Sequence, residues 1–458
     1  MFSKQTKLQQ TSGSLSNGVK LPAHVYMVGV GGIGMSALAQ LLKHRGHTVE
    51  GSDRDESPTT ELLAHKGISV TIGHLPAPAG ANAGGQAGDQ CNIPADTELL
   101  IYSDAVPSTN RERTRAKEMG IPEMSYFEAL GEVSAGVQTV AVAGTHGKTT
   151  TTGMLAAILK AAGRAPTAIV GSIVQDFGSN FLAGREDLFV VEACEYRDHI
   201  LKLNPEILVI TNIELDHTDY FPTLESLIET FRAAVRKVPR EGFIITDPNG
   251  ANIAAALDGA QARIIDYTQT DVPPLSLIGE FNRMNARAAS AAARAVFPGI
   301  PESAIHDTLT NFHGSWRRFE YKGETPSGAL VYDDYAHHPT AMRKTIEAAR
   351  EKFPGKKIVV AFHPHLYSRT KSLLNEFAAA LAKADKAIVV PIYAAREAPD
   401  PSVSNHILAA LARYQGGDVS ALDDFSVIRD ALLEEDKNSL IITMGAGDIY
   451  KVAEQIAD

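Results

Sequence analysis

Cysteine is almost absent from this chain of 458 residues, which contains only Cys91 and Cys194. Two cysteines are too few for a disulfide framework, so we expect a reducing, cytoplasmic environment. The first twenty residues are polar and contain no apolar core. We therefore predict neither a signal peptide nor a membrane span in that stretch.

Positive charge is also scarce, because 43 Lys and Arg stand against 54 Asp and Glu, a formal net charge of −11. A nucleic-acid surface needs clustered Lys and Arg, so we expect no nucleic-acid partner, and no membrane or obligate protein partner is indicated. A hydrophobic content of 44% and a charged content of 21% are ordinary for a globular protein. The length predicts roughly three domains of about 150 residues.

The most informative stretch is 139–152, where an apolar strand runs into a Gly/Lys/Thr turn and then into an apolar helix. Gly144 and Gly147 allow backbone amides to face a phosphate, Lys148 can reach β- and γ-phosphates, and Thr149 offers a hydroxyl to Mg²⁺. Val142 stands where the usual nucleotide signature has its first glycine. The alternative is a plain strand–turn–helix, but the flanking strand and helix favour ATP binding.

A second glycine pattern opens the chain after an apolar strand at 24–28. Gly29, Gly31 and Gly34 fit G-x-G-x-x-G, and Asp53 falls where an acidic residue would meet a ribose. Taken alone, this pattern fits a nucleotide site and a tight structural turn equally well. We assign residues 1–134 to a Rossmann-like N-terminal domain.

Apolar runs separated by helical segments continue through the rest of the chain, at 188–191, 207–211, 243–245, 329–332, 358–362, 387–390 and 440–443. Such runs indicate mostly parallel sheets that are buried on both faces. The predicted fold class is therefore α/β, with a central P-loop ATPase-like domain at 135–313 and a Rossmann-like C-terminal domain at 314–458.

Polar residues follow two of the middle-domain strands. Glu192 and His217 come at strand ends, where ligands of doubly wound sheets gather, so we expect them to bind Mg²⁺ beside Thr149. Cys194 lies between carboxylates, which disfavour its thiolate, so we do not expect it to be a nucleophile.

Two adjacent histidines, His337 and His338, follow a third-domain strand. A pair of histidines could bind a transition metal, but no further Cys/His spacing supports a closed zinc site, and substrate contacts are favoured. Arg317 and Arg318 stand near the start of this domain. They are suited to reach a γ-phosphate, and the alternative is a salt bridge across the domain boundary.

Six segments in this order, at 29–35, 143–151, 211–217, 317–319, 333–339 and 393–399, resemble the Mur ligases, the ATP-dependent amide-forming enzymes of bacterial cell-wall precursor synthesis. The resemblance covers nearly the whole chain. It implies that the first domain holds a UDP-sugar, the second ATP and Mg²⁺, and the third the incoming amino acid. UDP-N-acetylmuramic acid, L-alanine and ATP are the implied substrates.

The resemblance also implies roles for individual residues. Those expected to be catalytic are Lys148, Glu192, His217, Arg318 and His337. Those expected at ATP are Gly144, Thr145, His146, Gly147, Lys148, Thr149, Thr150, Asn282, Asn285, Arg318 and Asp334. Those expected at the UDP-sugar are Gly29, Gly31, Gly32, Ile33, Gly34, Asp53 and Ser103. Those expected at the amino acid are Tyr335, His337 and Arg369, and the implied metal ligands are Thr149, Glu192 and His217.

Alternatives stay open within and outside the family. Tyr196 resembles the branch that recycles a murein tripeptide, whereas the segments 362–370 and 393–399 resemble the branch that adds alanine. A nicotinamide-dependent oxidoreductase would use Gly29 to Gly34 but leave Lys148 without a role, and an ATP-regulated binding module would need no amino-acid site. The chain departs from the family pattern at Cys194, Arg197, Phe281 and Leu366, so one cationic substrate contact is either missing or relocated to Arg197.

Overall fold

The computed structural model describes residues 21–73, 93–395 and 397–457, so the first twenty residues and Cys91 lie outside the described residues. The described strands form three sheets of five, seven and six strands, each accompanied by helices. The predicted α/β class is confirmed. Across these same ranges, no helix has the length and apolar character needed to cross a membrane.

The first sheet has the order β3-β2-β1-β4-β5, and every neighbouring pair is parallel. Its strands are β1 (His24–Val28), β2 (Thr48–Asp53), β3 (Ser69–Ile72), β4 (Leu99–Tyr102) and β5 (Glu123–Ser125). Its helices are α1 (Ile33–His44), α2 (Pro58–His65), α3 (Arg111–Glu118) and α4 (Tyr126–Ser134). The glycine turn predicted from the sequence connects β1 to α1.

The second sheet has the order β12-β11-β10-β6-β9-β7-β8 and is parallel except for the β7–β8 pair. Its strands are β6 (Gln138–Ala143), β7 (Pro166–Val174), β8 (Ser179–Leu182), β9 (Arg185–Glu192), β10 (Ile207–Ile210), β11 (Phe243–Thr246) and β12 (Arg263–Asp266). Its helices are α5 (Lys148–Ala161), α6 (Leu224–Lys237), α7 (Ile253–Ala256), α8 (Glu280–Val296) and α9 (Glu302–Thr310). Short 3₁₀ helices lie at Gln175–Phe177, Tyr196–Lys202 and Tyr267–Gln269.

The third sheet has the order β13-β14-β18-β15-β16-β17, with only the β13–β14 pair antiparallel. Its strands are β13 (Glu320–Glu324), β14 (Leu330–Asp334), β15 (Lys357–Phe362), β16 (Lys386–Val389), β17 (Val419–Ala421) and β18 (Ser439–Met444). Its helices are α10 (Pro339–Lys352), α11 (Tyr367–Ser372), α12 (Leu374–Leu381), α13 (Asn405–Tyr414), α14 (Phe425–Leu433) and α15 (Tyr450–Ile456).

The central strands are buried on both faces, as their unbroken apolar sequences predict. In β6, the four residues from Val140 to Ala143 are all inaccessible to solvent, and β10 is equally buried. Burial of such strands stabilises the sheet by the transfer of apolar area from water. Because the strands are parallel, their carboxyl ends lie along one edge of each sheet, where the polar residues that follow them collect.

A buried polar network joins the first sheet's α1 to β8 of the second. The Asn180 amide donates to Ser36 Oγ at 2.8 Å and accepts from Gln40 Nε2 at 2.9 Å, while Ser179 Oγ donates to Gln40 Oε1 at 3.0 Å. All four side chains are buried. The network therefore ties the two sheets together with matched donors and acceptors.

We predict that Asn180→Ala lowers the free energy of unfolding by about 2 kcal/mol, because it leaves buried groups of Ser36 and Gln40 without partners. Urea unfolding followed by circular dichroism measures the change. The exposed Asn438 provides the control, since Asn438→Ala should shift stability by less than about 0.5 kcal/mol. Equal stability of the two variants would contradict the role of the network.

Candidate active site

The phosphate-loop turn lies between β6 and α5, as predicted. Gly144 and Gly147 have φ angles of +125° and +86°, which side chains rarely adopt. A Cβ on Gly147 would also lie 2.3 Å from Asn285 Oδ1 on α8. Glycine is therefore required at this turn, and the turn presents the amino terminus of α5 to a ligand.

Lys148 is held below the turn by a buried carboxylate. Its Nζ lies 3.1 Å from both Glu195 oxygens and donates to the Gly144 and Thr145 carbonyls. Burial acts to lower the pKa of Lys148, but the surrounding acidic groups, Glu195 first among them, together outweigh it and the pKa is raised. Lys148 is thus a charged ammonium group beside the turn between β6 and α5.

Three more predicted residues converge at the first turn of α5. Thr149 Oγ1 donates to Glu192 Oε1 at 3.1 Å, and Arg318 Nη2 donates to Thr149 Oγ1 at 3.2 Å. The other Glu192 oxygen accepts from the Gly171 amide at 2.7 Å. A hydroxyl, a carboxylate and a guanidinium from the third domain therefore surround one point next to the phosphate loop.

His217 lies close to this group, with Nε2 3.8 Å from Glu195 Oε1. Its φ is +53°, and burial lowers its pKa, so the imidazole is neutral and able to bind a metal. The Thr149 hydroxyl and Glu192 carboxylate are oxygen ligands of the kind that Mg²⁺ prefers. The Thr149 hydroxyl and the Glu192 carboxylate thus fit one Mg²⁺ ion, and His217, which lies beside Glu195, stays the predicted ligand of a second.

The adjacent arginines have different environments. Arg317 donates from Nε to Asp333 at 2.7 Å and from its two Nη atoms to the Gly445 and Gly447 carbonyls, and both members of the ion pair are buried. The expectation that Arg317 reaches a γ-phosphate is therefore wrong, because its donors are used inside the third domain. Arg318 alone faces the phosphate loop.

The predicted adenine residues lie on α8, where the Asn285 amide donates to Asn282 Oδ1 at 3.2 Å. Asp334 ends β14 and accepts from the Phe319 and Ala336 amides, each at 2.8 Å. Burial raises the pKa of Asp334 to about 6. Both asparagines and Asp334 line the same cavity as the phosphate loop.

The residues predicted to bind the amino-acid substrate contact one another and the middle domain. Arg369 donates from Nε and Nη2 to Asp216 Oδ1 at 2.9 and 2.7 Å, and its Nη1 lies 3.1 Å from His365 Nδ1. Although burial opposes ionisation, Arg369 holds the pKa of Asp216 well below its usual value. His337 Nδ1 lies 2.9 Å from the Tyr335 carbonyl, and burial keeps the pKa of His337 well below its usual value.

The predicted UDP-sugar residues gather at the carboxyl end of β1. The Gly31 amide donates to Asp53 Oδ2 at 2.8 Å, and a Cβ on Gly29 would lie 3.0 Å from Ser103 Cβ. Gly32 is the N-cap residue of α1, and Ile33 and Gly34 form its first turn. The seven predicted residues therefore form one cluster, and of these seven only Ile33 also lines the cavity at the phosphate loop.

One cavity of about 760 Å³ connects the middle and third domains. The predicted residues that line it are Ile33, Thr145, His146, Gly147, Lys148, Thr149, Thr150, Glu192, His217, Asn282, Asn285, Arg318, Asp334, Tyr335 and His337. Those that are not among its lining residues are Gly29, Gly31, Gly32, Gly34, Asp53, Ser103, Gly144 and Arg369. The structure thus brings the ATP, metal and third-domain residues together around one space.

Sequence reasoning did not assign roles to Glu195 and Asp216, which hold Lys148 and Arg369 in place. Glu195 stands three residues after Glu192, in a segment already noted for its acids, whereas nothing in the sequence links Asp216 to Arg369. Burial, with neighbouring Glu195, raises the pKa of the Cys194 thiol to about 12, which disfavours the thiolate as the sequence predicts.

Three sequence profiles of one family match the chain in order. "Mur ligase family, catalytic domain" matches residues 24–138, "Mur ligase middle domain" residues 142–273, and "Mur ligase, glutamate ligase domain" residues 317–447. Together they cover most of the chain. The protein belongs to the Mur ligase family.

Individual relatives match this Mur ligase along almost its full length. UDP-N-acetylmuramate–L-alanine ligase of Caldicellulosiruptor saccharolyticus is 38% identical, over 94% of this chain and 98% of the relative. The crystal structure of the UDP-N-acetylmuramate-alanine ligase of Thermotoga maritima is similar with a TM-score of 0.76 at 25% identity, covering 94% and 98% of the two chains. A murein peptide ligase of Psychrobacter arcticus shares the fold, with a TM-score of 0.70, 24% identity and 95% and 98% coverage.

We predict that substitution of the two adjacent arginines of this Mur ligase affects different properties, stability for Arg317 and turnover for Arg318. Arg317→Ala leaves Asp333 buried without its cation and should lower the free energy of unfolding by about 3–5 kcal/mol. Arg318→Ala should leave stability within about 1 kcal/mol of the parent and lower kcat by about a hundredfold or more, because a charge at the phosphate site is lost. Thermal unfolding and steady-state phosphate release measure the two effects, and a reversed pattern would contradict the assignment.

Proposed function

We propose that this protein joins the lactyl carboxylate of UDP-N-acetylmuramic acid to L-alanine, using ATP and releasing ADP and phosphate. The observation that carries the proposal is the convergence of Lys148, Thr149, Glu192 and third-domain Arg318 at one point of the cavity. The matching relatives are UDP-N-acetylmuramate–L-alanine ligases, which supports this substrate pair, and the family match supports a Mur ligase reaction. The reaction is an early step of peptidoglycan precursor synthesis.

ATP is needed because a carboxylate does not condense with an amine in water. The lactyl carboxylate attacks the γ-phosphorus of ATP. The bond between that phosphorus and the oxygen of the β-phosphate breaks, so ADP departs and the carboxylate becomes an acyl phosphate. The uncharged amine of alanine then attacks the carbonyl carbon, phosphate departs with the electron pair of the C–O bond, and the amine loses a proton. No protein nucleophile is required, which agrees with the raised pKa of Cys194.

The chain's own residues stabilise negative charge during both steps. Lys148 and Arg318 approach the transferred phosphoryl group from the middle and third domains, and this charge is worth most in a site that excludes water. Thr149, Glu192 and His217 would hold Mg²⁺, which supplies charge neutralisation to the phosphates. The turn from Gly144 to Thr150 would bind the phosphates through its amides.

The remaining substrate contacts follow from the clusters in the structure. Asn282, Asn285 and Asp334 would contact the adenosine part of ATP, and the cluster at the end of β1 would contact the UDP-sugar. Tyr335 and His337 line the cavity and would contact L-alanine. Arg369 is buried against Asp216 outside the cavity lining, so it would hold this side of the site in place instead of facing the alanine carboxylate. We retain domain boundaries after residues 134 and 313, and a cytoplasmic location fits the low cysteine content.

The recycling of a murein tripeptide is the alternative within the family. Tyr196, the residue that resembles that branch, donates its hydroxyl to Asp219 at 2.7 Å within the middle domain. Its ring lies 4.7 Å from that of His217. These contacts give Tyr196 a packing role, so they do not favour a tripeptide substrate over alanine.

Phosphate release tests the function directly. The enzyme, ATP, Mg²⁺ and UDP-N-acetylmuramic acid are incubated with L-alanine, glycine, L-serine or the tripeptide, and products are weighed by mass spectrometry. We expect phosphate release that requires both UDP-N-acetylmuramic acid and L-alanine. We also expect a product with the mass of UDP-N-acetylmuramoyl-L-alanine. Release with the tripeptide alone would identify a recycling ligase, and release with none of the acceptors would contradict the proposal.

We predict that Lys148→Ala lowers kcat by about a thousandfold or more, because the phosphoryl group loses its closest cation. The same change leaves Glu195 buried and unpaired, which costs about 3–5 kcal/mol of stability. A double variant, Lys148→Met with Glu195→Gln, removes both charges and should regain stability without regaining turnover. Lys160→Ala, at the exposed end of the same helix, is the control, and turnover by the folded double variant would contradict the role of Lys148.

A further inference from the structure

Three side chains from distant parts of the sequence meet between the middle and third domains. His146 is in the phosphate-loop turn, Glu214 follows β10, and His338 is the N-cap residue of α10. One ligand-type atom of each lies within 4.8 Å of the others. His146 Nε2 is 3.5 Å from Glu214 Oε2, close to the separation of about 3.4 Å between ligands of a tetrahedral Zn²⁺ ion.

The His338 imidazole carries a nitrogen that the protein does not satisfy. Its Nε2 is buried and has no hydrogen-bond partner among the described residues, while the buried Nε2 of His146 faces the Glu214 carboxylate at 3.5 Å. His338 as a whole is only 6% exposed, and its ring centroid is 4.8 Å from that of His146. Because buried polar atoms are rarely left without partners, Nε2 of His338 calls for a ligand.

We propose that His146, Glu214 and His338 form a binding site for a transition-metal dication of the Zn²⁺ class. Two imidazoles and one carboxylate are a ligand set typical of Zn²⁺, whereas oxygen atoms predominate among the ligands of Mg²⁺. The site shares no ligand with the group of Thr149, Glu192 and His217. Three protein ligands leave a fourth position for water or a substrate oxygen from the adjoining cavity.

The local bonding of His338 permits this coordination. His338 Nδ1 accepts from the Thr340 amide at 3.3 Å. Binding through Nε2 moves the ring proton to Nδ1 and gives up this long bond, while Pro339 still starts the helix.

A bound metal would join two parts of the enzyme. His146 and Glu214 belong to the middle domain, and His338 belongs to the third. Coordination would therefore tie the phosphate-loop turn to the amino terminus of α10 and stabilise the arrangement of the two domains seen in the structure.

A titration of the full-length, metal-free enzyme with Co²⁺ tests the site, followed by the visible absorption of tetrahedral Co²⁺ and by its displacement with Zn²⁺. We expect one equivalent of tetrahedral Co²⁺, and we expect His338→Gln and Glu214→Gln each to weaken Zn²⁺ affinity at least tenfold. The control is His406→Gln, which alters an exposed histidine paired with Asp423 in the third domain and should leave the affinity unchanged.

The two variants come from different domains, so if one fails to fold by circular dichroism, the other decides. No Co²⁺ binding by the parent, or equal affinity in the parent and the folded variants, would overturn the proposal. Loss of binding in His217→Gln with retention in His338→Gln would also overturn it, because the metal would then occupy the Mg²⁺ site. None of these readouts uses catalysis, so they are independent of the proposed ligase activity.

Discussion

The buried ion pair between Lys148 and Glu195 sets the geometry on which the rest of the candidate site depends. Glu195 is 1% exposed, and both of its oxygens lie 3.1 Å from Lys148 Nζ. Breaking such a pair leaves an uncompensated buried charge, so the start of α5 and the segment after β9 are held together. That constraint places Thr149 against Glu192 and brings His217 near the same point.

The third domain completes the site through charged side chains that cross to the middle domain. Arg318 reaches Thr149, and Arg369 pairs with Asp216. Each contact joins residues more than 150 positions apart in the chain. The site is therefore complete only when the two domains adopt this arrangement, which also provides an enclosed space in which a water-sensitive acyl phosphate could form.

Much of the architecture could be predicted because its physical causes act between residues that are close in the sequence. Unbroken apolar runs such as that of β6 can be accommodated only in strands covered on both faces, and the glycines at 144 and 147 occupy backbone conformations that other residues avoid. The position of Lys148 and Thr149 then follows from the helix that starts there. For the same reason, the glycine cluster at the end of β1 could be located but not assigned a ligand from its spacing.

The sequence could not predict which groups each of two adjacent residues contacts. Arg317 and Arg318 have the same chemistry and neighbouring positions, yet Asp333 and two carbonyls bind the first, and the phosphate loop faces the second. The cluster of His146, Glu214 and His338 likewise depends on contacts between segments that share no spacing.

By itself, the sequence determined the α/β class, the three parallel-dominated sheets, the glycine turn between β6 and α5 and the strand ends where polar residues gather. These features depend on periodicity, glycine conformation and burial, which act over a few neighbouring residues. Only the tertiary structure decided which cation faces the phosphates, which carboxylates hold Lys148 and Arg369, and which histidines meet. Those outcomes depend on distances of a few ångströms between separate sheets, and long-range packing sets these distances.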